Sequence, residues 1–235
     1  MKKTIALGLT LLVGTAAQAA GPLTVTDVGL DANSAYVWRG FEIADKPALQ
    51  PTMTVALNNT PFSLNAWGSM VVQDRSTFEA ADEVDLTLTG EHSAAWGARQ
   101  VDLSLGGVLY TFPKAPEGAK RSAEVFATAT LASTLAPGVE YWYDFDQFDA
   151  SYVSLGLGPS LPISRTHSLE VAPSVGWGDA DGSFGFQDVT ISTSTNLSWS
   201  GLTFRPTVGY SYRAETIAAD RSGAWAGLGI HFIPE

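Results

Sequence analysis

Hydrophobic and polar positions alternate along nearly the whole chain, and the period is two. In "SAEVFATATLAS" one face carries Val125, Ala127, Ala129 and Leu131, and the other carries Glu124, Phe126, Thr128 and Thr130. "DEVDLTLTGE" sets Val84, Leu86 and Leu88 against Glu83, Asp85, Thr87 and Thr89. "QDVTISTSTNLSWS" and "GLTFRPTVGYSYR" divide in the same way. Helical periodicity is almost absent, so the pattern predicts strands broken by turn residues roughly every 18 positions. About twelve strands are expected, spanning 24–39, 50–57, 62–73, 82–91, 100–112, 121–132, 139–146, 150–159, 166–177, 187–199, 202–213 and 222–232. Their typical length suits a tilted strand that crosses a bilayer.

The connections carry a second pattern. After odd-numbered strands they are mostly long and polar ("GFEIADKPAL", "DRSTFEAA", "PKAPEGAK", "GDADGSFGF", "AETIAADR"). After even-numbered strands they are mostly short ("NNTP", "STLAPG", and the Ser200-Gly201 pair). An up-and-down barrel with both termini on the periplasmic side has that parity. Two connections fit it poorly: "HSAAWGAR" is long for a periplasmic turn, and the link near Gln147-Phe148-Asp149 is short for an external loop. A soluble β-sandwich or lipocalin-like barrel also alternates. There, however, one apolar face must fill a core, and the opposite face here is densely small and hydroxylated. Aromatics near strand ends (Tyr36, Trp38, Phe62, Tyr141, Tyr143, Trp177, Trp199, Tyr212) read as girdles at two membrane interfaces. The expected fold is all-β, a transmembrane antiparallel up-and-down barrel of about 12 strands.

The first residues fit this location. Lys2 and Lys3 precede an apolar run from Ile5 to Ala17, and Ala17-Gln18-Ala19 reads as a small-x-small cleavage site. The apolar run falls short of the about 20 residues a spanning helix needs. Residues 1–19 are therefore expected to be a secretory signal peptide cleaved after Ala19, and residues 20–235 an outer-membrane barrel domain of a Gram-negative bacterium.

In "SAYVWRGFEIADKPALQP" the alternation places Tyr36 and Trp38 toward lipid at the outer interface and Arg39 toward the pore mouth or lumen, near acids such as Asp31. Gly40 lets the chain leave the sheet. Lys46-Pro47 marks its return, because proline cannot donate to a ladder.

Three stretches carry a resemblance. They are Ser34 to Gly40 with Lys46 to Gln50, "FSLNAWGSMVVQD…DEVDLTLTGE", and "GVEYWYDFDQFDASYVSLGLG". Together they resemble the TorF family, proteobacterial outer-membrane proteins named as porins largely by prediction. The likeness covers the first two-thirds of the mature chain. Phe41-Glu42-Ile43 stand where family openings continue with small polar residues, and Ile233-Pro234-Glu235 follow the aromatic that usually ends such barrels. The resemblance implies location and fold and brings no catalytic residues.

Composition narrows the function. The formal net charge is −11, which argues against nucleic acid as a partner. There are no cysteines, so disulfides and thiolate metal sites are excluded. The polar faces collect Asp31, Glu83, Asp85, Asp102 and Glu124, then Glu140, Asp144, Asp146, Glu170 and Asp188. Arg39, Arg205 and Arg213 oppose them, with Arg121 near a rim. A surplus of carboxylates facing a low-dielectric pore favours cations. These residues predict a narrow, weakly cation-preferring channel for ions or small solutes. The alternative is a plugged or structural barrel in which the charges pair internally.

Lipid hydrolysis is the less favoured reading. It needs a Ser–His pair, and the only histidines are His92, His167 and His231. His92-Ser93 and His167-Ser168 are neighbours whose side chains point to opposite faces of a strand. "YDFDQFD" and "GDADGSFG" are carboxylate-rich but lack the spacing of a calcium-binding EF-hand. External loops of roughly ten residues are short for an adhesin. No catalytic residues, metal or cofactor are expected. The expected partners are outer-membrane lipid and lipopolysaccharide, the barrel assembly machinery, and small solutes or ions.

Overall fold

The computed structural model describes residues 21–73, 81–179, 182–214 and 223–234. The leader expected over 1–19, most of the connections 74–81 and 214–221, and Ala180 and Asp181 lie outside the described residues.

The strands are β1 (Leu23–Asn33), β2 (Tyr36–Trp38), β3 (Phe41–Ala44), β4 (Ala48–Leu57), β5 (Phe62–Val71) and β6 (Glu83–Trp96). They continue as β7 (Arg99–Thr111), β8 (Arg121–Leu131), β9 (Gly138–Asp144), β10 (Ala150–Gly156) and β11 (Ser160–Pro162). The last are β12 (Ser168–Gly178), β13 (Gly185–Ser194), β14 (Leu197–Trp199), β15 (Leu202–Arg213) and β16 (Gly223–Phe232). Twelve of these pair neighbour to neighbour in the order β1, β4 to β10, β12, β13, β15, β16. The ring closes where β16 pairs antiparallel with β1, Phe232 opposite Val28 and Gly227 opposite Asn33. Short β11 and β14 extend the sheet beside β12 and β15. The fold is thus a closed antiparallel twelve-stranded barrel, as the alternation predicts.

Alternation decides which side of the wall each residue faces. On β6, Glu83 and Asp85 are each 8% exposed, whereas Val84 between them is 47% and Leu86 54% exposed. The same outward apolar series runs around the barrel, with Leu105 at 68% and Val208 at 57%. A continuous apolar exterior around a polar interior is the inverse of a soluble core and is a lipid-facing wall. Phe62, Tyr141, Trp199 and Tyr212 lie on this exterior.

The tight turns sit at the end where β1 begins and β16 finishes. Ser200 (φ 51°) and Gly201 (φ 79°) turn the chain into β15, and left-handed dihedrals at both positions match the right-handed twist of a two-residue hairpin. "HSAAWGAR" proves not to be a loop. β6 and β7 run on into it as far as Trp96 opposite Arg99, leaving only Gly97 (φ 63°) and Ala98 as the turn. The 145–149 connection between β9 and β10 is short because Asp144 holds it. One carboxylate oxygen accepts the backbone N–H groups of Asp146 (3.1 Å), Gln147 (2.9 Å) and Phe148 (3.1 Å).

One expectation is overturned. The first strand does not continue to residue 39, and Tyr36 and Trp38 do not face lipid. β1 stops at Asn33, and Ser34 makes a last exchange with Ala226 on β16, N–H to carbonyl at 2.8 Å and Oγ from N–H at 3.0 Å. The chain then turns inward, and β2 and β3 form a separate two-stranded hairpin, Trp38 opposite Phe41. Tyr36 is only 7% exposed and clusters with Ala44, Ala48, Val71, Ala81 and Trp67. Burying Tyr36 inside the barrel mouth and packing Trp38 against Arg39 outweighs exposing them at an interface.

Candidate functional site

The hairpin's tip is Arg39-Gly40, with φ of 48° and 79°. Glycine accepts that dihedral freely, while arginine does so against a modest steric cost. Space demands glycine too, since a Cβ on Gly40 would lie 2.4 Å from Cβ of Asp188. Gly40→Ala is therefore expected to weaken hairpin docking by ~1–3 kcal/mol. Faster amide exchange across residues 36–44, with β7 and β8 unchanged, would register it.

The tip carries Arg39 across the lumen to the opposite wall. Its Nη1 and Nη2 donate to Oε1 and Oε2 of Glu124 at 2.8 and 2.7 Å, a bidentate fork. The pair is nearly enclosed, with the arginine side chain 13% and the glutamate 5% exposed. Three aromatic faces surround the guanidinium: Trp38 at 4.3 Å, Trp142 at 4.8 Å and Tyr152 at 4.9 Å from ring centre to Cζ. Such contacts strengthen when desolvated. A bulge between β12 and β13 turns both Gln187 and Asp188 inward, and Gln187 Nε2 donates to the Arg39 carbonyl at 2.9 Å.

Tyrosines hold the acids in place. Tyr36 donates to Glu83 (2.7 Å), Tyr110 to Glu124 (2.9 Å) and Tyr152 to Asp188 (3.0 Å). Burial, reinforced by the Glu83 carboxylate, raises the Tyr36 pKa well above its ordinary value, so this hydroxyl remains a donor at any physiological pH. Arg213 lies 3.5 Å over the ring of Phe41, clamping the hairpin's return strand.

The fourteen charged residues singled out in the sequence divide into groups. Arg39, Glu83, Glu124, Asp144, Asp188 and Arg213 gather on and around the hairpin at the loop end; Asp144 also accepts the Ser122 hydroxyl. The partner of Arg39 is Glu124 and not Asp31, because the hairpin carries its tip across the lumen. Asp31 instead lies 3.5 Å from His231 Nε2, with Asp27 3.0 Å from Nδ1 of the same ring. Asp31, Asp85 and Arg205 line a cavity of about 480 Å³ with Trp67 and Trp225. Glu140, accepting from Trp142 Nε1 at 3.2 Å, lies in a second cavity of about 590 Å³. Asp102 and Glu170 lie apart, accepting from Ser93 (2.6 Å) and Ser160 (2.7 Å). Asp146 is outside the strands and 3.7 Å from Arg121.

The sequence reading missed the aromatic partners Tyr110, Trp142 and Tyr152. Two short alternating runs, "AYVW" and "FEIA", separated by exactly the pair Arg39-Gly40, were the available hairpin signal.

A third cavity, about 650 Å³, opens on the loop side of the hairpin. It shares Trp38, Arg39 and Tyr152 with the 590 Å³ cavity, which reaches toward the terminal end at Ala136, Leu157 and Gly158. The hairpin tip is thus the partition between the two. Among the described residues no nucleophile–base–carboxylate relay is assembled. His167 bonds Ser164 and Thr166 in an exposed turn, and His231 faces the two aspartates.

Solved structures share this fold. The KdgM porin aligns with a TM-score of 0.55 at 8% identity, covering 88% of this chain and 98% of that one. The KdgM porin in complex with disordered oligogalacturonate gives 0.53 at 8% identity, covering 89% and 98%. An outer membrane channel from Pseudomonas putida F1 gives 0.50 at 12% identity, covering 94% and 99%. At such identities the likeness is one of fold, that of outer-membrane porin-like barrels. No curated protein matches the chain. Residues 16–180 match a family model described as "Bacterial protein of unknown function (Gcw_chp)", a stretch that takes in the hairpin and most of the barrel. With more than half of its length matched, the chain belongs to the Gcw_chp family.

Proposed function

We propose that the chain is an outer-membrane porin, a narrow and weakly cation-preferring path for ions or small solutes, as its resemblance to the TorF family implies. The observation that carries this reading is the pair of cavities, about 590 and 650 Å³, that meet at Trp38, Arg39 and Tyr152. A solute would pass the hairpin tip, with Glu140 and Asp188 lining one cavity and Asp144, Asp149 and Asp179 lining the other. Their surplus over arginine favours cations. It opposes a polyanionic cargo such as the oligogalacturonate bound by the KdgM porin.

In this reading the leader is removed after Ala19 and the terminal end faces the periplasm. Lipid and lipopolysaccharide surround the apolar wall. The assembly machinery acts on β16, whose strand ends at Phe232.

A plugged barrel is the second reading, favoured by the direct ties from Tyr36 to Glu83 and from Arg39 to Glu124. Single-channel recording across a potassium chloride gradient tests the proposal. Small discrete steps with a cation-biased reversal potential are expected. A silent wild type whose hairpin-less form conducts would establish the plug. Silence from both would end the porin reading.

A further inference from the structure

We propose that the box around Arg39 is a recognition site for guanidinium-bearing solutes, which the chain fills with its own arginine in this state. Most of the box belongs to the barrel wall. Glu124 comes from β8, Trp142 from β9 and Tyr152 from β10, and only Trp38 comes from the hairpin. Tyr110 fixes the carboxylate from β7 at 2.9 Å, so the acceptor pair stays aimed whether or not Arg39 is there.

The geometry is selective for a planar cation. Two parallel acceptors at 2.8 and 2.7 Å match the guanidinium fork, and aromatic faces at 4.3, 4.8 and 4.9 Å suit a flat, weakly hydrated ion. A compact ammonium gains the charge but neither the fork nor the stacking. A neutral amide would leave a carboxylate that is 5% exposed without a counter-charge.

The site is also reachable. Arg39 lines both the 590 and the 650 Å³ cavities, so a solute arriving from either side meets the box. Exchange requires that the Arg39 side chain swing away, and three of the four walls of the box, Glu124, Trp142 and Tyr152, stay with the barrel whether or not the hairpin lifts.

Emptying the box tests this. Detergent-purified Arg39→Ala protein, titrated with methylguanidinium and with the isosteric neutral methylurea, should give a saturable change in tryptophan fluorescence with methylguanidinium. That response should be at least about tenfold tighter than with methylurea or than in the wild type. Adding Glu124→Gln to Arg39→Ala should abolish it. Equal responses to the two probes, or equal responses in wild type and variant, would overturn the assignment.

Should Arg39→Ala fail to fold unaided, its refolding yield becomes the readout. A yield raised by methylguanidinium and not by methylurea supports the box, and a yield indifferent to both overturns it. Binding is read here without current, so a silent barrel that binds would refute conduction and leave the box standing.

Discussion

Replacing residues 34–47 with Asn-Gly is expected to raise single-channel conductance several-fold without disturbing the barrel. Asn33 and Ala48 are directly opposed on β1 and β4, so a two-residue turn closes that corner in register. The excised segment supplies the partition where Trp38 and Arg39 stand between the two larger cavities. Once they are gone, the remaining bore is that of a bare twelve-stranded barrel, and the current is limited by its width. Step amplitude measured beside wild type, on protein whose heat-modifiable mobility is unchanged, checks this. Equal amplitudes would mean that the hairpin does not govern passage.

Arg39→Ala should act through charge more than through space. It leaves Glu124 buried beside Tyr110 with no cation, and removing one member of a buried pair costs ~3–5 kcal/mol. The barrel can avoid most of that cost by letting the hairpin lift and water enter, so the variant is expected to flicker to larger conductance levels. Glu124→Gln alone should do less, since a neutral amide still accepts from Tyr110 and the arginine keeps its aromatic neighbours. The double variant should be steadier than Arg39→Ala. A double-mutant cycle read from the open-level occupancy separates the coupling from the single effects. Strictly additive effects would show that the fork contributes nothing to holding the hairpin.

Much of the barrel was legible from the chain because a lipid-facing wall enforces period two. Val84, Leu86 and Leu88 against Glu83, Asp85 and Thr87 fit a strand with hydrocarbon on one side and a polar lumen on the other. The hairpin was not legible for the same reason. Leu30, Ala32, Ser34, Tyr36 and Trp38 keep one parity, so the inward turn after Ser34 looks like five more residues of β1. What distinguishes the two cases is non-local. The β1 ladder ends with Asn33 opposite Gly227 although β16 runs on to Gly223, and Tyr36 finds Glu83 47 positions further on. The acids of the site stood out as charges, but Glu124 and Arg39 are 85 residues apart, and nothing in either segment points to the other. Trp142 and Tyr152 were hidden because an aromatic on a barrel strand reads equally well as girdle or lining until the register is known.

The claim on which the rest depends is that residues 36–44 sit inside the barrel, pinned by Arg39. Hydrogen–deuterium exchange on the reconstituted wild-type chain tests it without any label. Peptides covering the hairpin should be protected on the timescale of the adjoining strand β4, and that protection should fall in Arg39→Ala while β4 and β5 stay protected. Exchange of 36–44 as fast as the exposed connection 113–120 would place the segment outside the lumen and contradict the account.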